Sequence, residues 1–191
     1  KSICKLMIKE NITIPWNLGA GVRVDRVDAE FLNLAKRAGC YQLGVGFESG
    51  NQESLNSISK GIKLEQSIKS MKIIKESGLE SIGFFILGLP ADTPKSMNQT
   101  INFAKRLMPT YAKTTILMPF PGTVLFDEYE KKGLIKTRDW SKYNIHSATE
   151  IYQHPTLTSA ELKKYYDKFY RVFYFNPKFI YFRIICSFWG F

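Results

Sequence analysis

Two short stretches of this sequence put side chains where chemistry could occur. Along Cys40 to Glu48, the two-residue period of a strand places Gln42, Gly44, Gly46 and Glu48 on one face and Leu43, Val45 and Phe47 on the other. The first face has no bulk in its middle and a carboxylate at its exit. Asn17, Gly19, Gly21 and Arg23 repeat the arrangement on an earlier stretch. Glycine inside a strand weakens it and is found where a ligand or another backbone comes close. Two readings stay open. Either the two faces line a cavity closed by Arg23 and Glu48, or both strands bend at glycine and Arg23 and Glu48 pair with each other.

Other chemistry-bearing residues are less specific. The turn Gly88-Leu89-Pro90 brings backbone N–H groups next to a helix start, a natural place for an anionic ligand group. Strand-to-helix turns also use Gly and Pro for geometry alone, and no phosphate-loop lysine follows. His146 and His154 stand alone and read as surface or core histidines. Cys4, Cys40 and Cys186 are too far apart for a clustered metal motif, and their odd number argues against a disulfide framework. They read as reduced thiols of a cytoplasmic protein. No Ser/His/Asp set, carboxylate pair or zinc spacing assembles. Asn98-Gln99-Thr100 reads as a chance glycosylation match.

The elements that must position these groups alternate between strand and helix. A first strand is expected over Ile12 to Val24, followed by a helix capped by Asp28, with Phe31, Leu34, Ala35 and Ala38 on one face and Gly39 as its stop. The second strand is Cys40 to Glu48, ended by Ser49-Gly50-Asn51. Its helix presents Leu64, Ile68, Met71 and Ile74, and Gly78 closes it. A third, almost wholly apolar strand covers Ser81 to Leu89. Thr93-Pro94 starts a helix with Met97, Ile101, Ala104 and Met108 on one face. A fourth strand spans Thr114 to Met118. The expected class is therefore α/β, a partial (β/α) TIM-like barrel of about four parallel strands or an open sheet, which periodicity does not separate. Residues 1–133 form this part. Residues 134–191 form an aromatic-rich, helical C-terminal extension.

The totals fit one globular body of 191 residues with 45% hydrophobic content. A net charge of +10 would attract nucleic acid, anionic lipid or phosphorylated substrates, but the lysines are scattered and a solvated surface accounts for them. The chain starts at Lys1 without a secretory leader and stops after Phe188-Trp189-Gly190-Phe191, so both ends are expected to be cuts in a longer chain.

The segments in order resemble the radical S-adenosylmethionine (radical SAM) family, specifically its cobalamin-binding branch. The markers are Arg23-Val24-Asp25, Ala38-Gly39-Cys40 through Val45-Gly46-Phe47-Glu48-Ser49-Gly50, Lys60-Gly61 and Phe85-Ile86-Leu87-Gly88-Leu89-Pro90. Met118-Pro119-Phe120-Pro121-Gly122-Thr123, Trp140 with Tyr143, and Phe173-Tyr174 with Pro177 complete them. The resemblance implies a partial barrel in which a 4Fe–4S cluster cleaves S-adenosylmethionine to a 5′-deoxyadenosyl radical. It implies that Glu48 reaches the ribose hydroxyls or the methionine amino group, and that Arg23 faces the same cavity toward the methionine carboxylate. It also implies that Gly46 makes room for the nucleoside and that Ile86 and Gly88 pack along the adenine. Ala91-Asp92-Thr93 departs from the family's Gly-Glu-Thr, so Asp92 is not expected to touch the cofactor.

The CxxxCxxC loop that binds the cluster does not occur in these residues, so its ligands are expected upstream and the piece is expected to be inert as given. The full-length protein would then methylate or rearrange a small molecule or lipid precursor, with cobalamin. A transfer-RNA-modifying enzyme is one alternative, although no basic RNA-binding module follows the barrel. The other is a degenerate barrel acting as scaffold or membrane-surface module, since Phe179 to Phe191 carries only Arg183 as a charge and is shorter than a spanning helix of ~20 residues.

Overall fold

The computed structural model describes residues 1–143 and 148–189, with side chains described as far as residue 185. Four strands, β1 (Trp16–Arg23), β2 (Cys40–Glu48), β3 (Glu80–Leu87) and β4 (Tyr111–Ile116), form one parallel sheet in sequence order. This is a partial (β/α) barrel of four strands, one of the two architectures that the alternation allows. Parallel neighbours need crossovers, which α2 (Ala29–Arg37), α4 (Leu64–Ser77) and α5 (Pro94–Leu107) supply after a leading α1 (Ser2–Lys9). A short α3 (Gln52–Asn56) interrupts the second crossover. Beyond β4 come α6 (Val124–Lys131), the single turn α7 (Ala148–Ile151), α8 (Ser159–Tyr174) and α9 (Pro177–Trp189).

The helix boundaries follow from their caps. Asp28 accepts from the Phe31 N–H, Thr93 accepts from the Ser96 N–H ahead of Pro94, and Thr158 and Glu161 satisfy each other's backbone donors. Gly78 ends α4 at φ 70°, a conformation that costs a glycine little. Strand limits shift more. β1 starts at Trp16 rather than Ile12, because Pro15 offers no donor and Ile12 and Ile14 stand in solvent. β3 ends at Leu87, where Gly88 turns the chain at φ 76°, and β4 begins three residues before the expected Thr114.

Leu43, Val45 and Phe47 on β2 and Phe85 and Leu87 on β3 point to the helices and are buried. Phe85 packs on Phe47 and on Phe169 of α8, with ring centroids 5.7 and 5.4 Å apart. Residues from Val24 to Phe179 join in this one hydrophobic core, so the C-terminal helices share it with the strands. A smaller cluster of Cys4, Leu34, Ala35, Ala38 and Cys40 fixes α1 to α2. Among the described residues no strand lies beside the outer edge of β4. Tyr170 and Tyr174, one turn apart on α8, take its place: the Tyr174 hydroxyl accepts from the Ala112 N–H at 3.1 Å and donates to the Ala112 carbonyl at 2.9 Å, and Tyr170 does the same for Thr114 at 3.2 and 3.1 Å.

Candidate functional site

β1 and β2 finish side by side, Arg23 opposite Gly46, at the end of the sheet where (β/α) barrels carry their chemistry. A cleft of about 270 Å3 opens there, lined by Ala20, Gly21, Val22, Arg23, Gly46, Glu48, Lys60 and Phe84. The glycine-rich faces build it through close backbone approach. Five residues of β1, Leu18 to Val22, span only three of β2, Leu43 to Val45, so β1 bulges over Gly44. A Cβ on Gly44 would lie 2.8 Å from the Phe84 ring, 2.9 Å from the Leu18 carbonyl oxygen and 3.0 Å from the Gly21 Cα. The middle of the glycine face is therefore filled by backbone and Phe84, and open space remains only toward Gly46 and Glu48.

Glu48 stands at the exit of β2 with φ 63°, a left-handed backbone that a residue with a side chain adopts at a cost. The neighbouring loop holds it there. Ser49 Oγ lies 3.0 Å from Thr100 Oγ1, and the Gly50 N–H donates to the same Thr100 oxygen at 3.0 Å. Gly50 touches α5 so closely that a Cβ would fall 2.4 Å from Phe103 Cβ. Glu-Ser-Gly is thus a clamp on α5, with its carboxylate turned into the cleft and 9% exposed. A Cβ on Gly46 would lie 2.6 Å from Glu48 Oε1, so this glycine makes room for the carboxylate itself.

Arg23 and Glu48 do not pair with each other. Lys60 stands between them: its ammonium donates to Glu48 Oε1, and its carbonyl accepts from the Arg23 guanidinium at 2.9 Å. The guanidinium also grips Asp25 through two bonds of 3.0 and 3.1 Å, and those bonds hold the Asp25 carboxyl below the usual range. Neither sequence reading was complete, since the cavity and the bulge coexist and a lysine mediates. Lys60 appears in the sequence only as part of a motif; nothing in its spacing ties it to Glu48, because the loop that returns it is irregular.

The remaining candidates fall elsewhere. Ile86 is half-buried on the same face of β3 as Phe84, pointing away from the helices. Gly88 is buried beneath α8, where a Cβ would meet Leu162 at 2.8 Å, and it does not line the cleft. The Leu89 N–H is already taken by Asp92 at 2.9 Å, so the turn is no free anion site. Asp92, 1% exposed, also accepts from Ser54 at 2.6 Å and Ser96 at 2.7 Å, tying the ends of β3, α3 and α5 together. His154 is a core histidine: Nε2 lies 3.2 Å from the Leu89 carbonyl, and Nδ1 accepts from the Thr156 and Leu157 N–H groups. Its Nδ1 role fixes the neutral Nε2-protonated tautomer. His146 lies outside the described residues. Cys4 and Cys40 are buried together, and among the described residues no group of three His, Cys, Asp or Glu could hold a metal. These residues do not fit an iron–sulfur cluster.

Residues 16–104 match the Radical SAM superfamily. The chain is 35% identical over 170 residues to an uncharacterized methyltransferase of Pyrococcus horikoshii, covering 89% of this chain and 36% of that protein. It is 27% identical over 177 residues to the anaerobic magnesium-protoporphyrin IX monomethyl ester cyclase of Rubrivivax gelatinosus, covering 93% and 31%. The chain thus spans about a third of the length of these relatives. Coproporphyrinogen III oxidase from Escherichia coli, a radical SAM enzyme, has the same fold, with a TM-score of 0.62 at 18% identity over 90% of this chain and 36% of that one. So does a radical S-adenosylmethionine methyltransferase from Kitasatospora setae, solved with tryptophan and a SAM analogue, at TM-score 0.61 and 19% identity over 69% and 27%. The superfamily match begins with β1 and ends inside α5, so it contains both residues that close the cleft and the loop that clamps one of them, and the chain belongs to the radical SAM superfamily.

Proposed function

We propose that this chain forms the S-adenosylmethionine-holding wall of a cobalamin-type radical SAM enzyme that methylates or rearranges a small molecule or lipid precursor. The observation that carries this reading is Glu48: a carboxylate almost out of water, on a strained backbone, whose one hydrogen-bond partner among the described residues is a lysine that a ligand can displace. A cleft with an acceptor beside two cations suits a zwitterion. Glu48 would accept from ribose hydroxyls or the ammonium, Arg23 and Lys60 would donate to the carboxylate, and Gly46, Phe84 and Ile86 would flank the base. The cleft volume falls just below the range of roughly 300–1,000 Å3 typical of small-molecule sites, which suits one wall of a larger pocket.

S-adenosylmethionine, when bound, would supply a sulfonium whose carbon–sulfur bond can be cleaved reductively. The residues described here bind and orient the nucleoside, and the cluster and cobalamin ligands lie outside this chain. Titrating S-adenosylmethionine calorimetrically against the chain and Glu48→Gln tests the reading. Loss of one charged acceptor should weaken binding by about tenfold, on the order of 1.5 kcal/mol. Equal affinity of the two proteins would remove Glu48 from the site.

A further inference from the structure

The C-terminal helix carries an apolar surface that the fold leaves uncovered. In α9, Phe179 packs against the rings of Phe173 and Tyr174, with centroids 5.0 and 5.2 Å away, and Arg183, one turn later, lies over the ring of Tyr111 at 5.1 Å. Those two positions are the body-facing stripe. The rest of the described helix faces outward: Ile180, Tyr181, Phe182, Ile184 and Ile185 are 38–68% exposed, and Phe175 just before the helix is 76% exposed. A cavity of about 440 Å3 continues this surface inward at the ends of the strands opposite the cleft, lined by Met71, Leu79, Met108, Phe182 and Ile185, with Lys75, Glu80 and Arg183 at its polar edge.

Charge decides what fits there. Asp167 is the last acid in the sequence; the 24 residues from Lys168 onward hold Lys168, Arg171, Lys178 and Arg183 and no carboxylate. A second copy would bring these cations face to face. Nucleic acid stacks on aromatic rings but gains little from the three isoleucines. At 13 residues the helix is about 20 Å long, short of the ~30 Å hydrocarbon core, and among the described residues no helix is long and apolar enough to cross a membrane. An apolar helix of this length with cations and no acids suits the boundary between headgroups and acyl chains.

We infer that α9 and the surface around it seat this protein on an anionic lipid bilayer, with Ile180, Tyr181, Ile184 and Ile185 in the acyl boundary and Lys178 at the headgroups. This inference is independent of the cofactor reading and concerns the opposite end of the sheet. The test is flotation of the 191-residue chain with vesicles of phosphatidylcholine alone and with roughly one-third phosphatidylglycerol, at low and high salt. The anionic vesicles should carry at least about tenfold more protein, high salt should release part of it, and Tyr181→Glu with Ile184→Glu should abolish flotation while leaving the circular dichroism and melting temperature unchanged. Lys178→Glu, which keeps the apolar surface, should weaken flotation without changing the fold. Protein left at the bottom with anionic vesicles overturns the inference. So does equal flotation with both vesicles, or a soluble dimer or RNA complex in place of flotation that the same double substitution breaks.

Discussion

At the scale of single residues, the glycines of β2 do different jobs, and their substitutions should separate stability from binding. Gly44 faces backbone on one side and the Phe84 ring on the other, and neither the Leu18 carbonyl nor the Gly21 Cα can rotate away. Gly44→Ala should therefore cost about 1–3 kcal/mol as overpacking, read as a lower urea midpoint at unchanged slope. At Gly46 the obstacle is the free end of the Glu48 side chain, which can swing. Gly46→Ala should leave the midpoint within about 0.5 kcal/mol and weaken S-adenosylmethionine instead, because the displaced carboxylate no longer fills the cleft. A matching loss of stability in both variants would show that Gly46 is only structural. The sequence made these glycines and the two terminal charges visible, because a strand's period is short and regular. It could not show Lys60, since a residue twelve positions beyond Glu48 meets it only through the path of an irregular loop.

At the scale of elements, the helix faces and caps were readable because each depends on neighbours within four residues: Asp28, Thr93 and Gly78 act where their types indicate. Strand ends were less readable, because pairing is decided by a partner far along the chain, and α1, α3 and α6 carry too few residues to impose a period. Two devices hold the later elements. One is His154, 3% exposed, which links the segment before α8 to the turn after β3. Burial pushes its imidazole below the ordinary 6.5; the bond to Leu89 and the charge of Asp92 pull the other way and lose. The unfolded chain therefore takes up a proton near 6.5 that the folded chain refuses, so this stabilisation is fully present above that pH and falls as the pH drops below it. Urea midpoints should be flat above about pH 6.5 and decline toward pH 5, and His154→Asn should flatten that decline. The second device is the pair of tyrosines on the edge of β4. Tyr170→Phe or Tyr174→Phe leaves an N–H and a carbonyl unpaired, at about 1–3 kcal/mol, and opens an edge to other chains. Increased light scattering in the variants would confirm the role; unchanged stability and dispersity would deny it.

At the scale of the whole molecule, the change of texture after Gly133 suggests a boundary between barrel and extension, yet the energetics bind the two. Phe169 and Phe173 of α8, 0% and 1% exposed, sit in the same core as Phe47, Phe85, Met97 and Ile101. Truncating one such ring costs about 3–5 kcal/mol, against a total stability of about 5–15 kcal/mol for a domain. Losing α8 altogether removes both rings, Leu162 above Gly88, and the two hydroxyls that seal β4, which is more than the remaining strands can offset. Residues 1–133 alone should therefore fail to form the sheet, and the complete chain should melt in one transition seen alike by near- and far-ultraviolet circular dichroism. Phe169→Ala should lower both signals together, because the ring is shared by strand and helix. Two separate transitions, or a folded 1–133 fragment with native far-ultraviolet signal, would show that the helices are an appendage and that the cleft at Glu48 stands without them.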